Sequence, residues 1–248
     1  MPIETNKVSK EAKPKRIGVI LLGLKYSSLP ALQYLILHMN VLQKSFEYEL
    51  LPFDFNDEFM QLLLNKEVDY DSIHYKKVNE FTKRLKSFLE KTSASYELWD
   101  TPPEQYIIVC MARISSNYYS VSFKGLSILA LGNWETIMAP PSILEFIITM
   151  ILAESMRSVS EKSDQAFHLG TKGCISDFTP ELDLARYKVL NHFICNSCRE
   201  LLTNEGYPQL ADDVINILDK KWLGSLSDPT SPSSIVQNLG MTYLQQKV

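Results

Sequence analysis

Four side chains in the C-terminal third of the chain could do chemistry together: His168, Cys174, Cys195 and Cys198. They stand in the string His168-Leu169-Gly170-Thr171-Lys172-Gly173-Cys174, followed after 20 residues by Cys195-Asn196-Ser197-Cys198. One imidazole and three thiolates form a common tetrahedral donor set for structural zinc. A C-x2-C pair bends the backbone around one metal. Its second cysteine falls in the first turn of a helix predicted from Asn196, and a helix N-terminus favours the thiolate. Gly170 and Gly173 let the opposing loop turn tightly. Zn2+ with three thiolates keeps one net negative charge, which Lys172 and Arg199 are placed to offset. Four protein ligands leave no position for water, so such a site is structural rather than catalytic.

Other assignments of these residues compete. The cysteines could be inert core thiols, but glycine-flanked and Asn-Ser-flanked positions suit a core poorly. They could be a redox pair, but the C-x2-C lacks a thioredoxin-like βαβ context. His192 stands three residues before Cys195 and could replace His168 as the fourth ligand; ligand spacing favours His168. Cys110 sits alone in an apolar run and reads as a small core residue. No G-x-S-x-G, Walker loop, kinase set or H-E-x-x-H is present, and the four histidines, at 38, 74, 168 and 192, cannot make the last.

The elements that must position the cluster follow from periodicity. The continuous apolar run over 17–22 suits a strand buried on both faces. Ser27 or Ser28 caps a helix to about residue 43, with Pro30 in its first turn. A second strand is predicted over 48–53, completing β-α-β, the unit of a parallel sheet. Gly18 and Gly23 do not make a dinucleotide fingerprint. Asp54, Asp57 and Glu58 read as a helix start. A helix opening at Asp71 or Ser72 places His74, Val78, Phe81, Leu85 and Phe88 on one stripe. Strands follow over 106–111, 119–123 and 126–131, the last two joined by a tight turn at Lys124-Gly125. Pro140-Pro141-Ser142 opens a helix over 143–157 that is apolar almost all round and therefore central. Thr179-Pro180 caps a helix to residue 190, another runs from 196 to 206, and Pro208 opens one to about 220. Residues 224–234 hold five Ser and two Pro and look like a linker. The predicted organisation is a flexible basic arm (1–16), an α/β core (17–160), a zinc module (161–206) and a C-terminal helix with a Ser/Pro-rich tail (207–248).

At 248 residues and 45% hydrophobic composition, the chain can bury a sizeable core, which excludes a disordered protein. A net charge of −4 argues against a chain-wide nucleic-acid surface. No apolar run reaches the roughly 18 residues of a membrane span, and no secretory signal is visible. With four cysteines, too few for a disulfide scaffold, the expectation is a cytoplasmic protein that does not engage membranes.

The stretch GCISDFTPELDLARYKVLNHFICNSCRELL, with His168 just upstream, resembles the cysteine-rich tail of the archaemetzincin-like zinc metallopeptidases. In that family the third catalytic histidine is followed at once by a cysteine, then by a Gly-Cys-like step and a distant C-x2-C. The resemblance covers the motif over about 165–205 and only the layout over 15–160. It implies an α/β (α+β) fold, with a mixed β-sheet, flanking helices and a zincin-like layout, ahead of a small zinc-bound helical module. Two departures matter. The helix that should carry H-E-x-x-H reads LEFIITMILAESMRS, without histidine. Leu169 stands where the family has its first structural cysteine, and His168 beside it can take that place as ligand. The structural zinc is thus expected to be kept, one per chain, and the catalytic zinc lost. The expected function is binding or regulatory, toward a protein or small-molecule partner, rather than peptidase activity. One alternative is a metal-dependent hydrolase with a non-standard active site. The other is a nucleic-acid-binding zinc module using Lys172, Arg186, Lys188 and Arg199, which Asp177, Glu181, Asp183 and Glu200 weaken.

Overall fold

A computed structural model describes residues 13–24, 29–98, 100–159, 168, 170–179 and 181–239. Residues 1–12 of the predicted arm and the proposed caps at Ser27 and Ser28 lie outside them. The elements are β1 (Lys15–Leu22), α1 (Leu29–Leu42), β2 (Phe46–Leu50), α2 (Glu58–Leu64), β3 (Glu67–Val68), α3 (Tyr75–Ser95), β4 (Gln105–Cys110), β5 (Arg113–Ile114), β6 (Ser120–Phe123) and β7 (Leu126–Ala130). The remaining helices are α4 (Ile143–Val159), α5 (Ala185–Asn191), α6 (Asn196–Asn204), α7 (Leu210–Leu218) and α8 (Pro232–Asn238).

Five strands form one sheet in the order β2-β1-β4-β7-β6. β1 pairs in parallel with β2 and β4, and β4 with β7, while β6 is antiparallel to β7 and forms an edge. The sheet is mixed and covered by helices, an α/β architecture. Strand alternation divides the core. Ile107 and Val109 of β4 join Ile17 and Val19 beneath α1 and α4. Tyr106, Ile108 and Cys110 turn the other way, with Ile20 and Leu22, toward α2 and α3. The cysteines of the candidate cluster belong to the first of these buried groups, together with residues of α4, α7 and α8. No helix among the described residues is long and apolar enough to cross a membrane.

Several elements depart from their predicted limits. β2 begins at Phe46, because its register is set by pairing Phe46 with Lys15 and Leu50 with Val19. His74 is not part of the α3 stripe; it is the N-cap, and its Nδ1 accepts from the Lys77 N–H at 3.4 Å. Thr179 does not cap a helix. α5 starts six residues later, after a 3-10 turn at Leu182–Leu184, and the Thr179 hydroxyl pairs with that of Tyr119. The Ser/Pro stretch ends in α8, whose N-cap Ser231 accepts from Ser234 N–H and which packs on α1 with Ser233 and Ser234 buried. Ser side chains small enough for close helix contact explain a composition that resembles a linker. The two-residue pairing of β3 with β5 is too short to leave a periodic signal.

Candidate metal centre

Cys195 is the N-cap of α6 and Cys198 lies in its first turn, so the C-x2-C pair wraps the start of a helix as the spacing suggests. Cys174 arrives from the opposing loop. The Ile175 N–H donates to the Phe193 carbonyl at 2.8 Å, which fixes Cys174 beside the segment entering α6. The Cys195 N–H then donates to Cys174 Sγ at 3.4 Å. The 20 intervening residues include the 3-10 turn and α5, and α5 ends at His192, in the left-handed conformation with φ 49°.

His168 Nε2 lies 3.1 Å from Cys195 Sγ and 3.4 Å from Cys198 Sγ, and Cys174 Sγ is 4.0 Å from Cys198 Sγ. All four donor atoms fall within 4.8 Å of one another. Zn–S bonds of about 2.3 Å and Zn–N bonds of about 2.0 Å give a tetrahedron with edges of roughly 3.5 to 3.8 Å, so the cluster has the size of one tetrahedral ion. The cysteines are free and buried. Hydrogen bonding with Cys198 holds the Cys174 thiol down to about 5, against the effect of burial, and the same contact pushes the Cys198 thiol up. Neighbouring buried thiols cannot all ionise unaided; a divalent cation removes that conflict, so the donor set fits a soft or borderline metal.

The spacing argument misses Asp177, which lies behind His168. Its Oδ1 is 2.6 Å from His168 Nδ1. Its Oδ2 accepts the backbone N–H groups of Lys172, Gly173 and Cys174 at 2.6, 2.6 and 3.1 Å. One buried carboxylate thus shapes the loop and fixes the imidazole tautomer that leaves Nε2 free to ligate. The signal available in the sequence is an acidic residue three positions after Cys174, beside other surface acids.

The charge balance also differs from expectation. The Arg199 guanidinium pairs with Asp212, and Lys172 contributes its backbone N–H. The buried cation is Lys188, whose Nζ donates to the Asp177 carbonyl at 2.8 Å. His192 is outside the cluster; burial and then Lys220 hold its imidazole below the ordinary range.

Of the two loop glycines, Gly173 alone is demanded by geometry: φ is +78°, and a Cβ there would stand 2.0 Å from Asn191 Nδ2. Gly173→Ala should lower stability by about 2 kcal/mol or more from the left-handed backbone and the clash. Gly170→Ala, with nothing within 4 Å, should be nearly silent. Thermal unfolding of the two variants checks the contrast.

α4 carries the other group of interest. Glu154 is 2% exposed. Its oxygens accept from Ser120 and Ser122 hydroxyls at 2.5 Å each, and from Arg157 at 2.9 Å. The carboxylate is committed to side chains, and no imidazole stands on α4. A cavity of about 870 Å3 lies elsewhere, between Lys15, Lys44, Tyr207 and Asp213.

No family model matches the chain, and no curated relative does. Among solved structures, it is similar to archaemetzincin from Archaeoglobus fulgidus, determined in complex with malonate. That match has 13% identity, covers 75% of this chain and 98% of that one, and has a TM-score of 0.44. It is also similar to archaemetzincin from Methanopyrus kandleri, at 10% identity, with 79% and 97% covered and a TM-score of 0.43. Overlap at this level does not place the chain in the family. The fold and the cluster define an α/β protein with a possible metal-binding Cys3His centre.

Proposed function

We propose that this chain is a cytoplasmic, zinc-stabilised relative of the archaemetzincin-like peptidases that has lost the catalytic zinc site, a pseudoenzyme that binds a protein or small-molecule partner. One zinc per chain is held by His168, Cys174, Cys195 and Cys198 and is closed to water. The observation that carries this reading is the convergence of those four donors with a buried Asp177 orienting the imidazole. The order of His168, Cys174 and the C-x2-C pair supports the kinship. The commitment of Glu154 to two serines and Arg157, on a helix without histidine, supports the absence of a zincin centre. The basic residues considered for nucleic acid are largely spent, Lys188 by burial and Arg199 by pairing with Asp212.

Elemental analysis with a thiol count tests the metal. One zinc per chain, with three thiols protected until a chelator is added, is expected. Three freely titratable thiols in native metal-free protein would remove the site. Two zincs, one with an open position, would favour a hydrolase instead. Peptide cleavage by rigorously purified protein should be undetectable. Chelator-sensitive cleavage that disappears in Glu154→Gln would overturn the loss of the catalytic centre.

A further inference from the structure

Lys188 is an unusual residue to find inside this protein. It is 2% exposed, yet no carboxylate among the described residues lies within ion-pair distance of its Nζ. Asp177, whose carbonyl it meets, has both carboxylate oxygens engaged elsewhere, with His168 and with the three loop N–H groups. Among the described residues Lys188 meets the Asp177 carbonyl, at 2.8 Å, and the ring of Tyr119, 5.5 Å from its centroid. An ammonium has three donors. One hydrogen bond and one ring face use only part of that donor capacity among the described residues, and the remainder faces the adjoining space.

The same ammonium lines a cavity of about 170 Å3. The other walls include Arg157, Tyr119, Thr179, Ser120, Asn117 and Asp177. A buried ammonium and several hydroxyls thus converge on one small space. The Tyr119 and Thr179 hydroxyls are bonded to each other. Only one of them can donate in that bond, so the other keeps a proton to offer. Arg157 pairs with Glu154 and donates to Ser122, so its charge is already met and Lys188 is the cation that a ligand in this space would engage. The volume corresponds to roughly five or six waters, enough for an oxyanion group and a short stem but not for a large ligand.

We infer that this cavity, formed between the start of β6, the end of α4 and the metal-bearing loop, binds a small oxyanion, a carboxylate or a phosphate group, with Lys188 as its principal counter-charge. The inference supplies the ligand class for the binding role proposed above and depends on that reading only to this extent. The cavity borders the metal centre through Asp177 but uses none of the four candidate ligands.

The test is titration of the full chain, as purified, with sodium acetate and separately with inorganic phosphate. Chloride replaces them at constant ionic strength, because phosphate also stabilises proteins without binding. Amide chemical shifts and titration calorimetry are the readouts, with zinc content measured on the same samples. Saturable shifts centred on Tyr119, Thr179 and Lys188 are expected for at least one anion. Acetate alone identifies a carboxylate source, and phosphate alone a phosphate source. Lys188→Met should weaken the response at least tenfold. Should that variant fail to fold, Tyr119→Phe serves instead, with a loss of several-fold, while Lys86→Met, on the exposed face of α3, should leave binding unchanged. No saturable response to either anion, or equal binding by folded Lys188→Met, overturns the inference. Zinc without anion binding would sink this inference alone, and anion binding without zinc would sink the metal assignment alone.

Discussion

Cys198→Ser should cripple the protein, while Cys110→Ser should be tolerated, although each removes one buried thiol. Cys110 has an apolar strand around it, and burial pushes its thiol up to about 11. A serine there costs on the order of 1 to 3 kcal/mol of desolvation. The Ala112 backbone, which already bonds the thiol, can meet the hydroxyl and keep the cost at the low end of that range. Cys198 is one of the four donors of the proposed metal site. Structural zinc in small modules contributes roughly 10 to 16 kcal/mol of apparent binding energy coupled to folding. Forfeiting only part of that can exceed a typical total stability of about 5 to 15 kcal/mol. Nor can the local helices stand alone: α5 has seven residues and α6 nine, below the ~12 residues at which isolated helices become even marginal. Nicking by protease is therefore expected first within about 165–205. Because Cys174, Cys195 and Cys198 share a buried cluster with residues of α4 and α7, loosening should spread to that face before the α2–α3 face. Limited proteolysis with zinc analysis measures both. Equal resistance of the two variants at equal zinc content would show that the site does not hold the fold together.

What could be read from the sequence and what could not divide along a physical line. The β1-α1-β2 unit and the apolar α4 were legible because burial imposes a period that many residues share. The C-x2-C pair and Cys174 were legible because few other arrangements use thiols at that spacing. Asp177, Lys188 and Thr179 were not. Each belongs to a type that is usually exposed, and each is buried by partners far away in the chain or by a backbone turn that no period reveals. Lys188 sits beside Arg186 on a short helix and looks like a surface cation; it is buried where α5 packs on α4, with its Nζ at the Asp177 carbonyl and the Tyr119 ring. Ser233 and Ser234 show the same difficulty, since a composition typical of linkers also suits a close helix–helix contact.

Asp177 is the residue whose loss should separate the shape of the metal centre from its chemistry. Asp177→Asn keeps a carbonyl oxygen that can accept from the loop N–H groups, but it cannot meet the His168 Nδ1–H with a full negative charge. Partners behind a ligating imidazole typically govern metal affinity by 10- to 100-fold, and a loss in that range is expected. Asp177→Ala removes more. The backbone N–H groups of Gly173 and Cys174 are buried and would lose their acceptor, at about 1 to 3 kcal/mol each, while that of Lys172 can turn to water. The loop would then lack the feature that presents Cys174, so zinc affinity should fall well beyond that of the Asn variant, and Gly173 should lose its left-handed conformation. Competition against a chelator of known affinity, followed through thiol protection, ranks the three proteins. The order wild type, Asn, Ala is expected, with the Ala variant also melting at a lower temperature when saturated with zinc. An Asn variant with wild-type affinity would mean that the carboxylate does not orient His168. An Ala variant that matches Asn in both measurements would mean that the three N–H groups find their partners elsewhere.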